Sequence, residues 1–402
     1  MNWTGRELTA EVGPVAHGGH CVSRVDGRVV FVRHALPGET VIALVTEDKG
    51  GSFCRADAIE VLEASPHRVT PPCPLAAPGG CGGCDWQHAS GDYQRTLKAA
   101  VVAEQLHRLA GLDIEASDVD VEELAGGLLE WRTRARLAVD DDGVPGFRAH
   151  HSHRVVPVES CPIAAPGTVD QVTSRTWRPG TELEVCVDSD QWTYVTQWRK
   201  DRRGKAVPRA VVGDPVVVER AARREWRVSA HGFWQVHPDA ADVLSEVVSS
   251  WSGLAAGQCA WDLYSGVGLF AGVLAEQVGP EGTVIAVESV REAAEFGVDN
   301  LADLPQVRTI AGRVEPVLGA GSLPDPDVVV LDPPRKGAGR VVVDAIAERS
   351  PSRVVYVACD PAALARDVKF FGERGFRLAG LRAFDAFPMT HHVECVALLE
   401  RT

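Results

Sequence analysis

The sequence lacks any apolar run near the roughly 20 residues that a membrane-crossing helix needs, which argues against an integral helical membrane protein. It opens Met1-Asn2-Trp3-Thr4-Gly5-Arg6 without the basic start and apolar stretch of a secretory leader, so the expected compartment is the cytoplasm. Positive charge is in short supply: 41 Lys and Arg stand against 55 Asp and Glu, for a net charge of -14. That balance argues against a generic nucleic-acid binder, which gains affinity from a broadly basic surface. A disulfide framework is also disfavoured, because the cytosol keeps thiols reduced. The 10 cysteines therefore call for explanation one by one, with metal binding or catalysis as the reading for any spaced cluster.

What is present is ordinary globular material, 45% hydrophobic and 24% charged, over 402 residues. At roughly 100–200 residues per domain that length implies two to four domains, and the punctuation supports three. Residues 1–66 hold short β-like runs at 12–15, 28–32 and 40–45 separated by turn signals such as Gly18-Gly19, which predicts a small β-barrel. Pro66, Pro71, Pro72, Pro74 and Pro78 mark a junction. Leu97, Val101, Leu106 and Leu109 then recur at helical spacing, predicting a helix over about 92–110 that packs on the last domain. Residues 67–228 read as a mostly β central domain. From 229 to 402 apolar strands alternate with helical stretches, which predicts an α/β, Rossmann-like, doubly wound sheet.

Charge is uneven along the chain. Between 199 and 227 lie Arg199, Lys200, Arg202, Arg203, Lys205, Arg209, Arg220, Arg223, Arg224 and Arg227. Only Asp201, Asp214, Glu219 and Glu225 oppose them, so the segment is either a local basic face or a solvated polar hairpin.

Three sets of residues carry chemistry. Cys81-Gly82-Gly83-Cys84, with Cys73 before it, offers three thiols, and the glycines let the backbone bend so that the sulfurs converge. Cys161, in Glu159-Ser160-Cys161-Pro162, is the candidate fourth ligand; four thiolates suit a [4Fe–4S] cluster or a tetrahedral zinc ion. Next, Asp262-Leu263-Tyr264-Ser265-Gly266-Val267-Gly268 ends a strand and turns on glycine into a helix, and Glu288 closes the following strand. Glycine permits close backbone approach and a carboxylate can accept from ribose hydroxyls, so a nucleoside cofactor fits, with Asp262 and Tyr264 flanking its two ends. A dinucleotide or a merely structural turn stays open at this point, although the missing third glycine disfavours NAD. Finally, Asp332-Pro333-Pro334-Arg335 and Ala358-Cys359-Asp360-Pro361 each follow an apolar strand, which puts Asp332 and Cys359 at the ligand-binding edge of the sheet. Cys359 also precedes an expected helix whose dipole would favour thiolate; the alternative is a buried cysteine behaving as a small hydrophobe.

His34-Ala35-Leu36-Pro37-Gly38-Glu39 resembles the TRAM domain, an OB-like RNA-binding barrel. Asp332-Pro333-Pro334-Arg335, Cys359-Asp360-Pro361 and His392-Val393-Glu394-Cys395 together resemble the RNA uracil-5-methyltransferase family, and with the barrel and cysteine cluster the resemblance covers nearly the whole chain. The resemblance implies methylation of carbon 5 of a uridine in tRNA or 23S rRNA by S-adenosylmethionine. Cys359 would add to carbon 6 of the base, Glu394 would remove the carbon 5 proton, and Gln235, Asp262, Tyr264, Gly266, Glu288 and Asp332 would surround the methyl donor. Arg335 would contact the uracil, and Cys73, Cys81, Cys84 and Cys161 would hold iron–sulfur in preference to zinc. The partner implied is structured RNA presenting a flipped uridine, with no membrane and no obligate protein partner. Family members read Ser-Cys-Asn-Pro and His-Val-Glu-Thr at the catalytic motifs, and place five residues between the first two cluster cysteines where this chain has seven. The competing expectations are an inactive RNA-binding iron–sulfur protein that kept the fold, and a methyltransferase for another nucleobase atom.

Overall fold

Alternation of polar and apolar residues with a period of two curls the amino-terminal strands around one core. The computed structural model describes residues 2–402. Strands Glu7–Glu11, Thr40–Glu47, Phe53–Glu63, Arg28–Arg33 and Cys21–Val25 lie side by side in that order. Their inward Leu8, Val30, Val32, Val41, Ala43, Val45 and Ala56 pack together. Gly13 N–H donates to the Val22 carbonyl and Val22 N–H to the Pro14 carbonyl, both at 2.8 Å, so the chain beyond the first strand closes onto the last. The strand expected at 12–15 is displaced to Glu7–Glu11, and Val15 makes only an isolated bridge with Cys21. Pro14 has no N–H to offer a ladder, which explains the shift. Glu39, in the loop that resembles TRAM, is buried; it accepts from Leu36 N–H, Ser65 N–H and the Arg68 guanidinium, tying the barrel to the junction.

The middle of the chain forms a six-stranded antiparallel sheet in the order Ala206–Val212, Thr193–Lys200, Glu182–Val187, Arg134–Val139, Pro145–Arg148, Val155–Pro157. Leu137, Val139, Leu183, Val185 and Val195 fill its core with Val169 and Val172. Two pieces of the stretch read as central belong physically to the carboxyl-terminal unit. Helix Gly91–Gln105, prolonged by a wider π turn Leu106–Ala110, buries Ala99, Val102 and Leu106 there, and Val121–Glu123 adds an edge strand beside Phe376–Asp385. The hairpin Val216–Ala221 and Arg224–Ser229 lays Val217, Trp226 and Val228 against Leu244, Phe270 and Leu274.

The carboxyl-terminal sheet runs Val307–Ala311, Thr283–Glu288, Cys259–Leu263, Val328–Leu331, Arg353–Ala358, Glu394–Arg401, Phe376–Asp385, Val121–Glu123. The first five strands are parallel, and Glu394–Arg401 is antiparallel to both neighbours. Strand order reverses beside Cys259–Leu263, and such a switch point opens a crevice at the carboxyl ends of the parallel strands. The antiparallel strand begins at that same edge, so its first residue joins the crevice. Among the described residues no helix is long and apolar enough to cross a membrane.

Candidate active site

Strand register brings the catalytic candidates together. Ala358 pairs with Cys395 in the antiparallel ladder, so Cys359 and Glu394, one residue further on each strand, end it opposite one another. Leu331 pairs with Tyr356 on the other side, and Asp332 leaves the neighbouring strand at the same edge. The Asp332 loop is fixed from below: Asp367 accepts from Ala338 N–H (2.8 Å), Gly339 N–H (3.1 Å) and the Tyr356 hydroxyl (2.8 Å). Gly337 has φ +75°, and a Cβ there would lie 2.6 Å from both Arg366 Nη2 and Asp367 Oδ2, so this turn requires glycine.

The electrostatics differ from the expectation of a thiolate at Cys359. Burial first, then the carboxylates of Glu394 and Asp332, push its thiol up to about 12, and only Arg335 opposes them. The helix dipole does not rescue it, because Asp360 already caps Pro361–Gly372 by accepting from Ala363 N–H at 2.8 Å. Burial, then the charge of Asp332, raises Glu394 well above the usual carboxylate range, and burial raises Asp332. Glu394 is buried and Asp332 half-buried beside it, and their mutual repulsion opposes the ionisation of both at once. Arg335 is exposed, and its Nη2 lies 3.2 Å from His392 Nε2. Burial lowers His392 to about 3, which leaves it neutral and able to accept from the guanidinium.

The glycine turn is tight and leaves one buried carboxyl unpartnered among the described residues. Tyr264 sits at φ 65°, a conformation rare for a side-chain-bearing residue, followed by Gly266 at φ 55° and Gly268 at φ 99°. Glu288 accepts from Gly266 N–H at 2.9 Å and from Val290 N–H at 2.6 Å, so this carboxylate clamps the turn to the end of the next strand. Asp262 is 0% exposed, and neither carboxylate oxygen has a hydrogen-bond partner among the described residues. Burial pushes it up to about 8. An orphaned buried carboxyl is costly unless a ligand satisfies it. Gln235 is buried in the segment leading into helix Ala240–Ser252.

The cysteines gather in one neighbourhood. Cys73 and Cys161 raise Cys81, and Cys161 and Cys81 raise Cys84, in each case after burial as the main cause. All four are free, and Gly83 N–H donates to Cys81 Sγ at 3.3 Å. A Cβ on Gly82 would lie 2.7 Å from His150 N, so only glycine lets the cysteine loop pass this backbone. Among the described residues no three His, Cys, Asp or Glu side chains close tightly enough to hold a single metal ion.

Sequence reasoning missed the residues that hold the loop leading to Glu394. Asp85 and Trp86 N–H groups both donate to the Met389 carbonyl at 3.0 Å, and His391 Nδ1 lies 2.6 Å from Asp85 Oδ2. Gln94 accepts from Met389 N–H at 2.8 Å. Lys98, 0% exposed, donates to Asp385 at 2.5 Å and to the Phe387 carbonyl at 3.0 Å. From the barrel, His17 Nε2 reaches Asp360 Oδ2 at 3.1 Å, next to Cys359. Only Lys98, a charge among Leu97, Ala99 and Val101, left a trace in the sequence. In the basic segment, Arg220, Arg223 and Arg224 are spent on Asp190, Glu276 and Asp303, whereas 202–209 are exposed.

Comparison with known proteins bears on this arrangement. Residues 325–402 match the family model described as tRNA (Uracil-5-)-methyltransferase, and residues 3–59 match the TRAM domain. An uncharacterized RNA methyltransferase of Streptomyces avermitilis is 47% identical over 98% of this chain and 98% of its own. One from Corynebacterium efficiens is 39% identical over 99% of this chain and 95% of its own. Among solved structures, the Pyrococcus abyssi tRNA (uracil-54, C5)-methyltransferase in complex with S-adenosyl-L-homocysteine is 23% identical. It superposes with a TM-score of 0.73 over 97% of this chain and 99% of that one, which establishes the fold.

Proposed function

The chain belongs to the RNA methyltransferase family of these relatives, and from that premise we propose that it methylates carbon 5 of a uridine in tRNA or 23S rRNA, using S-adenosylmethionine. The observation that carries this reading is the register that sets Cys359 opposite Glu394 with Asp332 beside them. The bound donor would supply an electrophilic methyl group on a positively charged sulfur. Asp262, with two unsatisfied oxygens, suits the donor's ammonium group, and Asp332, Tyr264, Gly266, Glu288 and Gln235 complete the enclosure. Carbon 5 of uracil is too weak a nucleophile to react unaided. Cys359 would lose its proton to solvent and add to carbon 6, and Arg335, steadied by His392, would face the developing enolate oxygen. After methylation Glu394, ionised, would take the carbon 5 proton so that the Cys359 sulfur can leave. A stacked base cannot reach the sulfur, so the uridine must be flipped or unpaired.

The same reading assigns Cys73, Cys81, Cys84 and Cys161 to a [4Fe–4S] cluster. Its support is the donor set, four thiols with no carboxylate or imidazole among them, which a multi-iron centre spans more widely than one ion. An absorption band in the visible that bleaches with dithionite is the expected signature; a colourless protein containing zinc overturns the assignment. The function itself is tested by mapping 5-methyluridine in RNA from cells with and without this protein in the cytoplasm. One site should vanish in its absence. An unchanged 5-methyluridine map with a different methylated base missing would establish another nucleobase atom as the target, and no change at all would favour an inactive RNA-binding protein.

A further inference from the structure

A cavity of about 550 Å³ lies between the barrel and the cysteine-bearing loop, bordered by Cys81 but by neither Cys359 nor Glu394. We propose that this cavity binds one nucleotide of the RNA strand other than the methylated uridine. The inference rests on RNA being the substrate.

The floor carries three buried nitrogens that lack a hydrogen-bond partner among the described residues. Arg33 side chain is 8% exposed, and its Nη2 has no hydrogen-bond partner among the described residues, the nearest acid being Asp85 Oδ1 at 3.6 Å. His20 is 9% exposed and its Nε2 is likewise orphaned, as is Nε2 of His150. His20 Nδ1 lies 3.1 Å from the Gly18 carbonyl, so that nitrogen carries the proton and Nε2 presents a lone pair. Burial and Arg33 hold His20 at about 4, which keeps the ring neutral. The rim adds Lys49, Arg55 and Arg154. Two acids also line the cavity. Glu47 is engaged by Lys49 at 2.7 Å and Arg55 at 3.0 Å, and burial pushes the Asp57 carboxyl up, so the cations prevail.

Complementarity decides the ligand class. An inorganic anion would satisfy Arg33 but leave the His20 lone pair empty, and an apolar ligand would satisfy neither. A nucleotide offers both partners: phosphate oxygens for the guanidinium, and a base N–H or ribose hydroxyl for His20. The volume lies within the roughly 300–1,000 Å³ of small-ligand sites. The His150 ring, 5.9 Å from His20 and 4.1 Å from His151, offers a face on which a base can stack.

The test uses the full-length protein and a fluorescein-labelled single-stranded RNA of mixed sequence, read by anisotropy. His20→Phe keeps the ring shape without the lone pair, and Arg154→Ala removes an exposed rim cation. Each should weaken RNA binding about tenfold, within what one stacked, hydrogen-bonded base contributes, with S-adenosylhomocysteine binding unchanged by calorimetry. If His20→Phe fails to fold, Arg154→Ala and Arg55→Ala decide. Variants that bind RNA like a methylating wild-type protein overturn this inference alone. Displacement of RNA by inorganic phosphate while His20→Phe binds normally would reduce the cavity to an anion site and overturn it as well. A wild-type protein that neither binds nor methylates RNA overturns the proposed function too.

Discussion

At the scale of the residue, the acidity of Cys359 is the tension in the site. A sulfur that must ionise sits half-buried beside Glu394, Asp332 and Asp360. Asp360 stands where family members carry Asn, and as helix cap it has already taken the positive helix end that would have favoured thiolate. Asp360→Asn keeps a capping side chain and removes one negative charge. Its methyl-transfer pH profile should therefore shift to lower pH; a shift upward would place the Asp360 charge on the activating side. Asp360 also meets His17, whose acidity the hydrogen bond lowers, raising its pKa above 6.5. A group raised on folding stabilises fully below its unfolded value and loses that contribution as pH climbs through the raised one. The melting-temperature deficit of His17→Ala should accordingly be present below pH 6.5 and fade above it. Cys359 and Asp332 were legible because each follows a short apolar strand, whereas Glu394, which opens one, was legible only through the resemblance of His392-Val393-Glu394-Cys395 to the family. His17 was not, since its partner lies 343 positions away and no local pattern announces it.

At the scale of the element, the loop between Phe376–Asp385 and Glu394–Arg401 decides where Glu394 stands. Lys98 on helix Gly91–Gln105 holds the loop by its charge, and Gln94 by its amide. Removing one partner of a buried ion pair costs about 3–5 kcal/mol, because the other charge is left uncompensated. Lys98→Met should lose that much stability in denaturant unfolding, and Lys98→Met/Asp385→Leu should regain most of it; equal losses for both variants would contradict the pairing. Helix spacing revealed that this helix exists, and the strand alternation of the barrel was visible where inward residues are Val. Phe53–Glu63 escaped because its inward positions are Cys54, Ala56 and Ala58, too small to stand out as a stripe. That Val121–Glu123 would join the far edge of the last sheet was not legible, since three residues carry no partner information.

At the scale of the whole molecule, a net charge of -14 has to be reconciled with an RNA substrate. The structure localises the cations: Arg220, Arg223 and Arg224 are neutralised, while Arg202, Arg203, Lys205 and Arg209 stand exposed on and beside the edge strand Ala206–Val212. Replacing Arg202, Arg203 and Lys205 with Ala should weaken RNA binding and flatten its salt dependence, by about 0.7 per lost single-strand phosphate contact on a logarithmic plot. An unchanged slope would make that hairpin a solvated face.

The account turns on a bond between one sulfur and a pyrimidine ring, and peptide mass mapping can see that bond directly. Glu394→Gln, incubated with S-adenosylmethionine and substrate RNA, can no longer take the carbon 5 proton. The account predicts a denaturation-resistant adduct whose mass places a methylated uridine on Cys359. Full turnover by Glu394→Gln without any adduct, or attachment at another residue, would contradict it.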